Sequence, residues 1–141
     1  MNFCARYFAI LIITLLPGCA TLQLAAGNPE EALRARVTEL SQAKTEDDWG
    51  KVYDLYDAKY RAQISRDDFI RRKHSISFIT STIDQVKILP SGTEAEVMVK
   101  YDVLMMGFVF KDSPTMQYWV KEKGKWYIQM KEGEHPFAPA K

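Results

Sequence analysis

Apolar positions recur with a helical period between residue 30 and about residue 74. Leu33, Val37 and Leu40 lie four and three residues apart within residues 30–44, which predicts one amphipathic helix. A second helix is predicted after a Thr45-to-Asp48 capping box, and its buried side would carry Trp49, Val52, Tyr53 and Tyr56. A Ser65-to-Asp68 capping signal predicts a third helix that runs to about His74.

From residue 77 onward the hydrophobic period changes to two, which is typical of strands. Turn signals divide the region into strands over residues 83–89, 95–110, 115–121 and 125–130, with a turn at residues 112–114 and a bulge or bend at Gly107. In the long strand one face is apolar and carries Val97, Val99, Tyr101, Val103 and Met105. Short connections indicate hairpins, so we predict an α+β fold: three N-terminal helices packed on the concave side of a curled antiparallel sheet.

The N-terminus has the pattern of an export signal. Arg6 precedes an uncharged run over residues 7–16, which is too short to span a bilayer as a helix. The run ends in Leu16-Pro17-Gly18-Cys19, which resembles the lipobox of bacterial lipoproteins. The resemblance implies cleavage before Cys19 and a lipid on its thiol; an ordinary cleaved signal followed by a free cysteine is the alternative.

The predicted organisation is therefore a signal peptide over residues 1–18, a lipidated tether over 19–29 and one domain over 30–141. Ala20, not aspartate, follows the cysteine, which by the same resemblance implies the outer membrane, facing the periplasm, in a Gram-negative cell. The expected location is the cell envelope.

Charge and cysteine content exclude several function classes. The chain has 19 basic and 18 acidic residues, and only Arg6 among them precedes Cys19, so nucleic-acid binding is not expected. Cys4 lies in the leader, which leaves no disulfide in the mature chain. The two histidines, His74 and His135, have no ligand spacing, so neither a metal nor a cofactor is predicted.

A family resemblance rests on residues 48–56, Tyr60-Arg61, residues 65–69 and a late hairpin that contains Trp119 and Trp126. Across residues 30–130 this pattern resembles the NTF2-like proteins. The resemblance implies a cone-shaped fold whose open end can form an apolar pocket. Its members include isomerases, dehydratases, small-ligand binders and docking or oligomerisation modules, so the fold does not select a function.

Candidate site residues follow from that pocket. Tyr101 is the best oxyanion donor, and Asp84, which alternates with Val86 and Ile88, and His74 are the candidate bases. A core tyrosine, a solvated strand-end carboxylate and a helix-end cation explain the same three residues. The apolar residues of the candidate ligand site are Met105, Met116, Tyr118 and Trp126, which ordinary core packing also explains.

Three hypotheses remain open from the sequence. The first is a non-enzymatic, membrane-anchored NTF2-like domain that binds a small apolar ligand or an envelope protein. The second is an isomerase- or dehydratase-type enzyme of the same fold that uses Tyr101 with Asp84 or His74. The third is a structural module that dimerises through Met106, Phe108 and Phe110 on the outer face of the sheet.

Overall fold

A computed structural model describes residues 27–72 and 75–131. In those residues four helices precede four strands: α1 (Pro29–Thr45), α2 (Trp49–Asp54), α3 (Ala58–Arg61), α4 (Arg66–Arg71), β1 (Ile76–Ile88), β2 (Glu94–Met105), β3 (Phe108–Glu122) and β4 (Lys125–Gln129). The predicted signal peptide, the lipobox with Cys19 and most of the tether lie outside the described residues, as do His74 and His135. None of the helices in the described part is long and apolar enough to cross a membrane.

Helix α1 forms where the hydrophobic period predicts it. The side chain of Asn28 caps its N-terminus by accepting the Glu30 N–H at 3.1 Å, and a proline occupies the first turn, where its missing N–H is not needed. Leu33, Val37 and Leu40 are completely buried against the sheet. The predicted amphipathic stripe is therefore confirmed.

One of the two predicted helix caps is confirmed, and the other is wrong. Ser65 caps α4 by accepting the Asp68 N–H at 3.1 Å, as predicted. Thr45 does not cap α2, because α1 continues through it and its hydroxyl donates to the Gln42 carbonyl at 2.9 Å. Asp48 caps α2 instead, accepting the Lys51 N–H at 3.0 Å.

The helical region also contains a single turn that the sequence did not predict. Asp57 accepts the Tyr60 N–H at 2.9 Å and starts the four-residue helix α3. Helix α4, predicted to run to about His74, ends at Arg71. The described residues thus contain four helices where three were predicted.

The sheet is a meander with the order β1-β2-β3-β4, and every neighbouring pair is antiparallel. Strand β1 begins at Ile76, earlier than predicted, and two bulges interrupt its pairing with β2. The opposite edge is covered at Ile128, because the Ile128 N–H donates to the Leu55 carbonyl and the Asp57 N–H donates to the Ile128 carbonyl, each at 2.9 Å. The bulges in β1 and this cover on β4 oppose edge-to-edge pairing at those positions.

The turn between β2 and β3 lies elsewhere than predicted. Strand β2 ends at Met105, which pairs with Phe108, so Met106 and Gly107 form a two-residue turn with φ of 53° and 84°. The predicted turn at residues 112–114 is a bulge inside β3, where Asp112 has a φ of 51° and Asp102 accepts its N–H at 2.9 Å. The expectation of a bend at Gly107 was therefore wrong.

The α+β class is confirmed: helices pack on one face of a curled four-stranded antiparallel sheet. The core lies between the two layers. In β2 it contains Val97, Val99 and Tyr101, which the period-two pattern predicted, and also Ala95; the predicted Val103 is partly buried and packs against the core. The largest completely enclosed side chains are Trp119, Trp126, Tyr56, Tyr101 and Phe69.

Candidate functional site

Tyr101, the candidate oxyanion donor, lies in the interior between α1 and the sheet. Its side chain is 1% exposed, and its hydroxyl lies 3.2 Å from the Ser41 hydroxyl of α1. The Gln117 side-chain amide donates to the same hydroxyl at 2.8 Å. Trp119 then donates its indole N–H to the Gln117 carbonyl oxygen at 3.1 Å. Four side chains thus form one buried hydrogen-bonded chain.

The Tyr101 hydroxyl has two side-chain partners within this chain. It accepts from the Gln117 amide, and it shares its second hydrogen bond with the Ser41 hydroxyl, in which either oxygen can be the donor. Ser41 and Gln117 are themselves buried, at 3% exposure each. In residues 27–72 and 75–131, no carboxylate or histidine shares a hydrogen bond with the Tyr101 hydroxyl.

Lys44 is a buried cation that sequence reasoning did not single out. It lies in the last turn of α1 and is 4% exposed. Its ammonium group lies 4.9 Å from the centre of the Phe78 ring and 5.1 Å from that of Tyr101. The two rings meet edge to face at 5.0 Å. The aromatic faces stabilise the buried charge through cation–π attraction.

Asp84, the candidate base, does not point into the interior. The β1 bulge between Ile83 and Gln85 shifts the alternation by one residue, so the expectation that Asp84 faces inward with Val86 and Ile88 was wrong. Its carboxylate is exposed and accepts from the Lys100 ammonium at 2.9 Å. That hydrogen bond raises the pKa of Lys100 above its usual value.

The four apolar candidates are not brought together. Trp126 is 1% exposed in the core, and Met105 is half-buried beside the turn of the β2–β3 hairpin. Met116 and Tyr118 alternate with the buried Gln117 and therefore lie on the outer face. The Lys131 ammonium lies over the Tyr118 ring on that face. Their roles in ligand binding, and that of His74, stay predictions.

The aromatic cluster formed by the short helices α3 and α4 and the segment before α3 contains no catalytic base. Tyr56 and Tyr60 lie with ring centres 4.4 Å apart, and both contact Phe69 edge to face. Burial is the main cause that raises the pKa of Tyr56 and of Tyr60 above the usual range. Both hydroxyls therefore stay protonated at neutral pH. The part of the chain that the structure describes also contains no cluster of three or more His, Cys, Asp or Glu placed to hold a metal ion.

The second candidate site lies on the surface, at the β2–β3 hairpin. Five of the eight exposed large apolar side chains in the described residues belong to it, and we call them the apolar tip: Leu104, Met106, Phe108, Val109 and Phe110. Their exposure ranges from 39% for Leu104 to 86% for Met106. Large exposed apolar patches are typical of interaction surfaces, so this group of side chains is the second candidate site.

The apolar tip does not lie on one side of the sheet. Phe108 pairs with Met105 and Phe110 pairs with Val103, which places both phenylalanines on the face that carries Tyr101 farther along β2. Leu104 pairs with Val109 on the opposite face. The expectation that Met106, Phe108 and Phe110 form part of the outer face was therefore wrong. The sequence signal was an apolar run that continues through residues 103–110 without a polar alternate.

Comparisons with known proteins bear on the fold. No family model matches the chain, and no curated protein matches it. A SEC-C motif containing protein from Rhodopseudomonas palustris is 14% identical, with 72% of this chain and 75% of that one aligned at a TM-score of 0.50. A solved protein titled Rd1NTF2_05, with five substitutions, is 19% identical, with 74% of this chain and 98% of that one aligned at a TM-score of 0.48. The first likeness is one of overall fold, in agreement with the α+β arrangement described above.

Proposed function

We propose that this protein is a membrane-tethered docking module: an NTF2-like domain without a catalytic role that acts through its surface. Residues 1–18 export it, and a lipid on Cys19 holds it on a membrane of the cell envelope. The resemblance of residues 16–19 to a lipobox supports the tether. The apolar tip is the docking surface.

The proposal rests mainly on the hydrogen bonds that the Tyr101 hydroxyl makes inside the domain. A catalytic donor must be free to follow charge that develops on a substrate, with a base within hydrogen-bond reach of the reacting proton. Here Ser41 and Gln117 occupy the hydroxyl, and Asp84 is engaged with Lys100 on the outer face. This arrangement favours a structural role for Tyr101.

Packing of the interior favours a surface partner over a small apolar ligand. Val97 and Val99 have no exposed surface, and Trp119 and Trp126 are each 1% exposed. A ligand in the interior would have to displace side chains of this kind, and displacing packed apolar groups destabilises the domain. The apolar tip, in contrast, offers apolar side chains that are already in water.

Native mass spectrometry of the full chain, extracted from bacterial membranes in mild detergent, tests the proposal. We expect a mature chain that begins at Cys19, carries an acyl mass and retains no additional small molecule. Cys19→Ser is the control and should lose the acyl mass. A wild-type chain without acyl mass would contradict the tether, and a small apolar molecule held by the folded monomer would contradict docking at the surface.

A further inference from the structure

We infer that the apolar tip inserts into the surface layer of a lipid bilayer and gives the domain a second membrane contact besides its lipid anchor. The inference rests on the proposed function, in which this tip is the docking surface. The occupant is the boundary between lipid head groups and acyl chains.

The distribution of apolar side chains around the hairpin favours lipid over protein. Phe108 and Phe110 lie on one face, Leu104 and Val109 on the other, and Met106 projects from the turn at 86% exposure. A protein partner that docks on one face would leave the apolar side chains of the other in water. Lipid surrounds an inserted element and covers all of its sides at once.

The size of the tip also argues against a stable interface with a second copy. Specific protein interfaces use about 20–30 residues on each side. The tip supplies five apolar side chains, and the neighbouring Ile79 is a sixth, at 48% exposure. Bilayer association has no such threshold, since its strength grows with the apolar area that enters the lipid.

The backbone of the hairpin suits the head-group layer better than the acyl core. Ladder pairing joins Val103 to Phe110, Leu104 to Val109 and Met105 to Phe108, so the two strands pair with each other up to the turn. No described strand lies on the outer side of β3 at residues 108–110, because β4 pairs only with residues 118–122. The outward N–H and C=O groups of that edge need hydrogen-bond partners, which water and lipid head groups supply and hydrocarbon does not. The backbone therefore favours shallow insertion.

The depth available matches the interfacial layer. Three residues of β2 and its turn separate Val103 from the end of the hairpin, which at ~3.3 Å per residue gives roughly 10 Å. Interfacial elements bury their apolar side chains about 5–10 Å into the boundary between head groups and acyl chains. Immediately behind the tip, Lys111 is exposed and can contact lipid phosphates, while Asp102 binds the Asp112 N–H. This charged band limits insertion to the tip.

The test uses the full chain reconstituted in vesicles of phosphatidylethanolamine and phosphatidylglycerol. A fluorescent amino acid that reports polarity replaces Met106 in one sample and Lys123 in a matched control, since Lys123 occupies a turn of the same geometry at the other end of the sheet. We expect blue-shifted emission and quenching by lipids with brominated acyl chains at position 106, and neither effect at 123. Water-like emission at both positions would overturn the inference.

Two further variants separate lipid insertion from one-sided docking. With the fluorophore at position 106, Phe108→Gln and Val109→Gln alter opposite faces of an exposed hairpin and leave the buried core unchanged. Insertion predicts that each variant reduces the quenching, because both faces lie in lipid. Reduction by only one of them would indicate a protein interface and overturn the inference.

Photo-crosslinking in cells distinguishes failure of the inference from failure of the proposed function. A diazirine amino acid at position 106 should join the chain to lipid. Crosslinks to another envelope protein or to a second copy would leave the docking surface intact and remove the bilayer as its occupant. If the diazirine at position 106 gave no crosslinks, as is expected at position 123, the tip would contact neither lipid nor protein. That result would contradict both the inference and the proposed docking surface.

Discussion

The β2–β3 and β3–β4 hairpins turn through two residues each, Met106-Gly107 in the first and Lys123-Gly124 in the second. Their φ values are closely similar, 53° and 84° against 48° and 82°. Positive φ at both central residues is the requirement of the favoured two-residue hairpin turn, and glycine meets it at the second position. Both turns therefore require residues that tolerate a positive φ.

The side chains around the two turns differ completely. Met105 and Phe108 flank the first turn, whereas Glu122 and Lys125 flank the second. Lys123 shows that this turn geometry accepts a charged residue at the first of its two turn positions, where the first hairpin has Met106. The apolar residues of the first hairpin are thus not required by the turn, and a role outside the fold explains them best.

The largest expected contrast concerns one aromatic residue close to each turn. Trp126 is 1% exposed, so Trp126→Ala should lower the free energy of unfolding by about 3–5 kcal/mol. Phe108 is 70% exposed, and Phe108→Ala should change it by less than about 0.5 kcal/mol. Urea denaturation measures both. If Phe108→Ala lowered the free energy of unfolding by several kcal/mol, the tip would pack within the domain, and the two hairpins would not differ as described.

The two hairpins also show what sequence patterns can predict about the fold. The β3–β4 turn at Lys123-Gly124 was predicted because polar residues interrupt two alternating strands. The β2–β3 turn was missed because Met106 is apolar and because Asp112-Ser113-Pro114 has a stronger turn composition. The structure accommodates that segment as a bulge, with Pro114 paired opposite Lys100, and bulges are where strands tolerate proline.

Prediction of the candidate site had a similar limit. Alternation along β2 placed Tyr101 in the interior, but it could not identify Ser41, which lies on a helix 60 residues earlier in the chain. Alternation also assumes strands without bulges, so the bulge beside Asp84 reversed its face. Lys44 was missed because a basic residue in the last turn of a helix is usually solvated and complements the helix dipole.

A smaller and equal effect is expected for the two turn glycines. Gly107→Ala and Gly124→Ala place a side chain at a positive φ where no atom stands within 4 Å of the new Cβ. Only the left-handed conformation opposes the change, which should lower the free energy of unfolding by about 1–2 kcal/mol in each case. The same denaturation experiment applies. If the two losses of unfolding free energy differed by more than about 1–2 kcal/mol, the two turns would not require the same backbone conformation at their glycines.

The smallest effect on stability separates fold from function most directly. Asparagine adopts positive φ more readily than methionine or lysine, so Met106→Asn and Lys123→Asn should each raise the free energy of unfolding by less than about 1 kcal/mol. Insertion of the tip predicts that Met106→Asn also weakens contact of the hairpin with lipid, whereas Lys123→Asn leaves it unchanged. The readout is quenching by brominated lipid of a fluorescent amino acid at position 108. Equal quenching in all three chains would mean that Met106 has no part in the membrane contact, and a loss of stability in Met106→Asn would mean that the methionine serves the fold.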